Sequence, residues 1–127
     1  MHAKHLFDYA VIRVVPRVER EEFINVGVIL FCKGEKFIQV KYILDVNRLH
    51  AFAPELDLNA VEENLNALEQ ICMGTKAGGG IGELDIASRF RWLTATRSTV
   101  IQASKVHPGY TCNAAETLDK LYSEMVL

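Results

Sequence analysis

The first third of the chain has the hydrophobic pattern of a β-sheet. Residues 7–18 are rich in Val, Ile, Tyr and Phe, and residues 23–32 are apolar on both faces, as in a central strand that is covered on both sides. Residues 37–44 alternate between apolar and polar side chains, and residues 33–36 have the length and the glycine of a hairpin turn. We therefore expect three sequential antiparallel strands, that is, a meander.

The pattern changes to a helical period over residues 57–73. Apolar side chains are spaced there by three and four residues: Leu58, Val61, Leu65, Leu68 and Cys72. This spacing places them on one stripe of a helix. Asn59 is followed three residues later by Glu62, which predicts an N-cap at Asn59, and Gly74 stands where the helix should end.

Two more helices and a fourth strand are predicted in the last third. Three apolar residues stand at helical spacing: Ile86, Phe90 and Leu93. They predict a short helix over residues 84–92, and the β-branched residues in 99–106 predict a strand. A closing helix is expected to begin at Asn113, with Glu116 in the capping-box position. Its inward side chains are expected to be Leu118, Leu121, Tyr122 and Met125.

Together these elements predict an α+β fold. We expect an antiparallel sheet of three to four strands, with the meander at its N-terminal end, covered by about three helices. The chain has 127 residues, no internal repeat and no low-complexity segment, so it is interpreted as a single domain over residues 1–127.

Composition and charge exclude several classes of protein. Half of the residues are hydrophobic and the net charge is −2, which argues against a disordered chain and against a strongly basic nucleic-acid module. The three cysteines form no C-x-x-C pair, which fits a reducing compartment. The longest apolar run, about ten residues, falls short of the roughly 20 that a membrane helix needs. Asp8 and Arg13 interrupt the first apolar stretch, so we expect no secretory signal there and a cytoplasmic protein.

Several familiar kinds of site are not supported by the sequence. The glycine cluster at residues 78–82 lacks the lysine and hydroxyl of a phosphate-binding loop and follows a helix rather than a strand, so we interpret it as a connector. The four histidines are scattered and the cysteines fall in apolar stretches, so neither a metal nor a cofactor is predicted.

One stretch with candidate chemistry covers residues 89–99. It combines three arginines with the only tryptophan and several hydroxyls. Arginine offers a planar fork for phosphate or carboxylate, and hydroxyls complete such sites, so the stretch is a candidate anion site. The alternative is that Arg89 and Arg91 are solvated helix positions or pair with acids in the first third of the chain, and that Trp92 belongs to the core.

A second candidate stretch extends from Arg13 to Asn25. Arg13 interrupts an apolar strand and needs a partner if buried, for which Glu21 or Glu22 is the expected choice. Gly27 in the central strand suggests a bulge or a close backbone approach. An internal ion pair that fixes strand register is the alternative to a ligand site here. The full set of candidate binding residues is Arg13, Arg17, Asn25, Arg89, Arg91, Trp92, Arg97, Ser98, Thr99 and His107.

Both stretches resemble one bacterial family. The segments are FDYAVIRVVPRVEREEFINVGVILFC (residues 7–32) and RFRWLTATRSTVIQASKVHPG (residues 89–109), and they resemble the family called domain of unknown function 3037. The resemblance extends over nearly the whole chain. The family often has a proline where Thr96 stands here, which suggests a looser turn before Arg97. The resemblance implies no catalytic residue, and it implies as a partner a kinase-like protein of the HipA type encoded beside it.

Three functional hypotheses follow. The leading one is a non-enzymatic binding or regulatory module that acts with a partner protein, such as a HipA-like kinase. The second is a small enzyme or sensor that binds a phosphorylated or anionic ligand through the arginine and hydroxyl cluster. The third is nucleic-acid binding through residues 89–105 with Trp92 as a stacking surface, which the overall acidity disfavours.

Overall fold

Five strands and five helices make up the described part of the chain, which in this computed structural model comprises residues 4–95 and 99–127. The strands are β1 (His5–Val14), β2 (Ile24–Cys32), β3 (Phe37–Tyr42), β4 (Ile101–Ala103) and β5 (His107–Thr111). The helices are α1 (Val46–Phe52), α2 (Leu58–Met73), α3 (Gly79–Gly82), α4 (Ile86–Leu93) and α5 (Ala114–Met125). None of the helices in these two ranges combines the length and the apolarity that crossing a membrane requires.

The strands form one antiparallel sheet in the order β3-β2-β1-β4, and β5 also pairs with β1. The predicted α+β class and the meander of β1, β2 and β3 are confirmed. The sheet is larger than expected, because β5 adds a fifth strand. Pro108 and Gly109 in the middle of β5 are poor strand formers, so the sequence pattern does not predict this strand.

β4 and β5 together form one edge of the sheet. β4 pairs with the C-terminal part of β1 and β5 with the N-terminal part. Between them, Ser104 keeps the hydrogen bonding continuous: its backbone N–H donates to the carbonyl of Val11, and its Oγ accepts from the Val11 N–H, both at 2.8 Å. A side-chain hydroxyl thus replaces a backbone carbonyl where the edge is interrupted.

A β-bulge disturbs the pairing of β1 with β2. Ile12 stands opposite Gly27, whereas Arg13 stands opposite Asn25, so Val26 is the extra residue. A Cβ on Gly27 would lie 2.7 Å from the Cβ of Tyr42 and 2.8 Å from the Lys41 carbonyl oxygen. Gly27 therefore marks both the bulge and the close approach of β3 that its place in the strand suggests.

Hydrophobic clusters cover both faces of the sheet. On one face, which we call the α2 face, the strands pack against α2, α4 and Leu49 of α1. Its fully buried side chains include Ala10, Ile12, Val14, Ile29, Val61 and Leu65. On the opposite α5 face, α5 packs on β2 and β3. The buried residues there are Phe7, Val28, Leu30, Cys32, Ala114, Leu118, Tyr122 and Val126.

The helix boundaries confirm part of the prediction and correct the rest. Gly74 ends α2 in the left-handed region with φ 71°, and Asn113 caps α5 by accepting from the Glu116 N–H at 3.2 Å. The predicted N-cap at Asn59 is wrong: Asp57 caps α2 by accepting from the Ala60 N–H at 3.1 Å. Aspartate caps as well as asparagine does, and starting at Leu58 lets that side chain join the core.

Two stretches have more helix than the sequence pattern indicates. α1 follows β3 directly and begins after Asp45, whose carboxylate accepts from the Arg48 N–H. The glycine cluster forms a short 3-10 turn (Lys76–Gly78) and then α3, and these connect α2 to α4. α4 itself begins after Asp85 rather than at residue 84.

Candidate functional site

Arg13 and Asn25 are neighbours on the α5 face of the sheet. They stand opposite each other at the bulge, and Gln102 flanks Arg13 on the other side. Asn25 donates from Nδ2 to the Met125 carbonyl at 3.1 Å, which ties the end of α5 to β2. Within the described ranges, the buried Nε of Arg13 and Oδ1 of Asn25 have no hydrogen-bond partner. Of the predicted site residues, these two are brought together.

The expected ion pair between Arg13 and Glu21 or Glu22 does not form. The guanidinium of Arg13 instead lies over the ring of Phe23, with Cζ 3.9 Å from the ring centroid. A 3-10 turn before β2 leaves Glu21 exposed in the left-handed region, and Glu22 pairs with Arg20 at 2.5 Å. The carboxylates are thus directed to solvent, and an aromatic face takes the place of the predicted acid.

Arg89 supports the end of a helix. Its Nη1 donates to the carbonyls of Ile71 (3.3 Å) and Cys72 (3.0 Å), the last turn of α2. A Cβ on Gly74 would lie 2.5 Å from that Nη1, so the glycine leaves room for the guanidinium. Arg91, one residue beyond Phe90, is exposed and donates to the Ser88 hydroxyl at 3.1 Å. Arg91 is therefore a solvated helix position, as in the alternative, whereas Arg89 is half-buried and holds the end of α2, a role that neither interpretation gave it.

Trp92 and Thr99 line one cleft on the α2 face, although Trp92 is also 39% exposed. The cleft has a volume of about 200 Å³ and lies between α2, the end of α4, and β4. Ile12 of β1 forms part of its floor. Trp92 was expected either in the core or at a ligand site, and it stands at the wall of an open cleft. Arg97 and Ser98 lie outside the described residues, so their part in a site stays a prediction.

Arg17 and His107 lie elsewhere. Arg17 is 3.9 Å from Glu55 in an exposed ion pair, and both side chains border a polar depression of about 390 Å³. Exposed pairs of this kind contribute at most about 1 kcal/mol. His107 is exposed in β5, and its ring lies 5.3 Å from that of Tyr9 opposite. The described candidates thus do not converge on one cleft: Arg13 lies beside Asn25, Trp92 and Thr99 share another cleft, and the rest lie apart.

Among the residues that the structure describes, three groups have a clearly shifted pKa. Burial raises the pKa of the Cys72 thiol to about 12, against the opposing charge of Arg89. Burial, and then Glu69, raises the pKa of Tyr42, while the hydrogen bonds from Ser88 lower that of Asp85. None of these three residues lines the cleft that Trp92 and Thr99 border. In residues 4–95 and 99–127, no group of three or more His, Cys, Asp or Glu side chains could hold a metal ion.

A surface that the sequence reasoning missed lies at the opposite end of β1. Leu6 and Tyr110 stand opposite each other on β1 and β5, and their side chains are 54% and 73% exposed. Phe31 of β2, half-buried, lies on the same side of the sheet and stacks on Phe90 at 5.5 Å. We call Leu6, Phe31 and Tyr110 the Leu6–Tyr110 patch. The sequence signal for this surface is Tyr110, but it lies in β5, a strand that the sequence pattern did not predict.

This patch borders a broad surface depression. Its volume is about 590 Å³, and Lys4, Asp8 and Lys33 supply charges at its rim. Beside it runs the outer edge of β5, which pairs with no second strand among the residues that the structure describes. An apolar patch with a charged rim next to an unpaired strand edge is typical of a protein-binding surface.

Comparisons with known proteins identify a family and nothing more specific. The model of the family DUF3037, described as a protein of unknown function, matches residues 9–126. No curated protein and no solved structure matches the chain.

Proposed function

Because the chain belongs to the DUF3037 family, whose description gives no function, we propose its role from geometry: it is a non-enzymatic binding module that acts with a partner protein. The partner docks on the Leu6–Tyr110 patch and on the outer edge of β5. The observation that carries this proposal is the pair of exposed apolar side chains, Leu6 and Tyr110, on neighbouring strands at an edge of the sheet.

The placement of the polar candidates favours binding over catalysis. A nucleophile and its base must lie within hydrogen-bond reach of each other. Arg89 holds the end of α2, Asn25 holds the end of α5, and Arg13 lies over Phe23. Each of these side chains has a structural contact that accounts for its position. This arrangement supports a role in which the surface, rather than a reacting group, carries the function.

The shape of the patch suits an extended segment of a partner. A strand added to the edge of β5 would satisfy its outward backbone groups, and its side chains would reach the apolar surface of Leu6 and Tyr110. Lys4 and Lys33 stand at the rim with a single acid, Asp8. The rim is therefore slightly basic and favours a partner segment with acidic flanks.

The partner that we propose is the HipA-like kinase implied by the family resemblance. The test is co-expression of this protein with the kinase encoded beside it, followed by affinity purification and size-exclusion chromatography. We expect the two to elute as one complex. Absence of any complex under conditions where both proteins are folded would overturn the proposal.

Two single substitutions locate the surface. Tyr110→Glu places a charge in the centre of the patch and should weaken the complex at least about tenfold, because an apolar contact is lost and a charge is buried. Val46→Glu is the matched control, since Val46 is 46% exposed and begins α1, next to β3 at the other edge of the sheet. Equal effects of the two variants, or no effect of Tyr110→Glu, would place the interface elsewhere.

A further inference from the structure

Arg13 is a cation to which this chain supplies no carboxylate. The residue is half-buried on the α5 face of β1, and the ion pairs between described residues do not include it. Residues 1–3 and 96–98, which lie outside the described ranges, contain neither Asp nor Glu. The charge of Arg13 is therefore not balanced by an acidic side chain of the same chain.

The end of α5 does not take the place of an acid. Carbonyl groups at the C-terminus of a helix attract cations, and those of α5 lie close to Asn25, which stands opposite Arg13. However, the Met125 carbonyl accepts from Asn25 at 3.1 Å, and the Val126 carbonyl accepts from Arg48 at 3.0 Å. Arg13 donates to neither of these two carbonyls, so the helix end provides it with no direct contact.

Phe23 orients the guanidinium of Arg13 but leaves its N–H groups unpaired. Because Cζ lies 3.9 Å from the ring centroid, the ring covers one face of this planar group. The five N–H donors of a guanidinium point outward in its plane, at the edge rather than at the face. In residues 4–95 and 99–127 none of these donors has an acceptor. The side chain is thus held in place with its hydrogen-bonding edge unused.

Partial burial strengthens the attraction of this edge for an anion. A guanidinium that is partly removed from water loses hydration, and an oxyanion bound at its edge compensates for that loss. Two parallel N–H···O bonds join an arginine to a carboxylate or a phosphate, and such bonds are about twice as strong as those between neutral groups. The Phe23 ring beside the cation is 44% exposed, which offers an apolar surface to the rest of the ligand.

We propose that Arg13 binds an oxyanion, a carboxylate or a phosphate, that is carried on an apolar or aromatic group. The guanidinium binds two oxygens of the anion, and the apolar group packs on the exposed part of the Phe23 ring. This site is separate from the Leu6–Tyr110 patch. Arg13 lies seven residues along β1 from Leu6, about 23 Å in an extended strand, and on the opposite face of the sheet. Failure of either proposal leaves the other standing.

The test uses the full chain without a partner and three fluorinated probes. Para-fluorobenzoate and para-fluorophenyl phosphate are anions, and para-fluorobenzamide is the neutral counterpart of the benzoate. Fluorine NMR line broadening measures binding, and thermal unfolding measures the rise in Tm that a bound ligand causes. We expect at least one anion to bind saturably, at least about tenfold more tightly than the benzamide, and to raise Tm. The anion with the higher affinity identifies the anionic group of the ligand.

Substitutions of arginine test whether the anion binds at Arg13. Arg13→Gln removes the charge and should weaken binding of the anion at least about tenfold and abolish the rise in Tm. Arg91→Gln makes the same change of charge at an exposed position of α4, on the α2 face, and should leave both measurements unchanged. A structural role of Arg13 alone would alter the stability of Arg13→Gln but would produce no rise in Tm with the anion in the unmodified protein.

A second variant covers the case in which Arg13→Gln does not fold, which the emission of Trp92, the only tryptophan, reports. Arg13→Lys keeps the charge but lacks the planar pair of donors. It should bind the tighter anion at least about threefold more weakly than the unmodified protein, and unchanged binding would contradict the proposal.

Three further results would overturn the proposal. Equal binding of the benzamide and of both anions would show that no charge is recognised. Anion binding that persists in Arg13→Gln, or that falls equally in Arg91→Gln, would place the anion elsewhere on the protein. No saturable binding of either anion to the folded protein would show that Arg13 has no such ligand.

Discussion

Cys72 lies at the end of α2, buried between the helix and the sheet and close to the guanidinium of Arg89. Burial raises the pKa of its thiol from 9.0 to about 12 although the Arg89 charge acts in the opposite direction. The reactive form of cysteine is the thiolate. Cys72 therefore stays protonated near neutral pH and behaves as a small apolar side chain, which is how the sequence pattern places it.

The raised pKa of Cys72 predicts a loss of stability in alkaline solution. Above pH 9.0 the unfolded chain releases this proton, whereas the folded protein keeps it up to about pH 12. The free energy of unfolding should then fall by up to about 1.4 kcal/mol per pH unit in this window. Urea unfolding at pH 8 and pH 10, with a reducing agent present, measures this loss.

Two cysteine variants isolate that contribution. Cys72→Ala lowers the stability at pH 8 but should lose about 1.4 kcal/mol less than the unmodified protein between pH 8 and pH 10. Cys112 is exposed, and Cys112→Ala serves as the control that should keep the full pH dependence. If Cys72→Ala and Cys112→Ala show the same pH dependence, burial of Cys72 is not its cause.

Single residues also show how far the sequence predicts a site. That Arg13 needs a partner follows from its place in an apolar strand, but that the partner is Phe23 depends on the 3-10 turn that directs Glu21 and Glu22 outward. Similarly, the role of Arg89 depends on where α2 ends relative to α4. Long-range packing decides such contacts, and residue type alone does not distinguish a ligand-binding role from a structural one.

Elements with a long apolar pattern are the ones that the sequence predicts, and the three longest helices are among them. Apolar spacing identified α2, α4 and α5, because one face of each must be buried and a period of 3.6 residues marks it. β5 was not predicted because its five residues include Pro108 and Gly109. Its extended conformation depends on pairing with β1. α1 is short, with Leu49 as its fully buried residue, so its apolar stripe is too brief to stand out.

The N-terminus of α2 offers a direct test of which residue caps the helix. Asp57→Ala should destabilise the protein by about 1 kcal/mol, because it removes the side chain that accepts from the Ala60 N–H. Asn59→Ala should change the stability by less than about 0.5 kcal/mol and in the favourable direction, because alanine suits a helix interior better than asparagine. Thermal or urea unfolding measures both.

Both substitutions remove a short polar side chain near the same helix end, so each is the control of the other. A larger loss of stability for Asn59→Ala than for Asp57→Ala would mean that the helix begins at Asn59, as the sequence pattern had suggested.

At the scale of the whole molecule, the two edges of the sheet differ. β3 at one edge is followed directly by α1 and is contacted by α2 and α5. At the other edge β5 pairs with β1 on its inner side, and its outer side has no strand partner in residues 4–95 and 99–127. Leu6 and Tyr110 are exposed beside it. This asymmetry is why we assign the docking of a partner to β5 and its neighbour β1.

Hydrogen–deuterium exchange of the complex with the proposed HipA-like kinase tests this assignment most directly. An added strand would protect the outward amides of β5, so exchange in residues 107–111 should slow about tenfold or more on binding, with smaller effects in β3 and α1. Protection confined to α2, α4 or α5, with exchange in β5 unchanged, would contradict it.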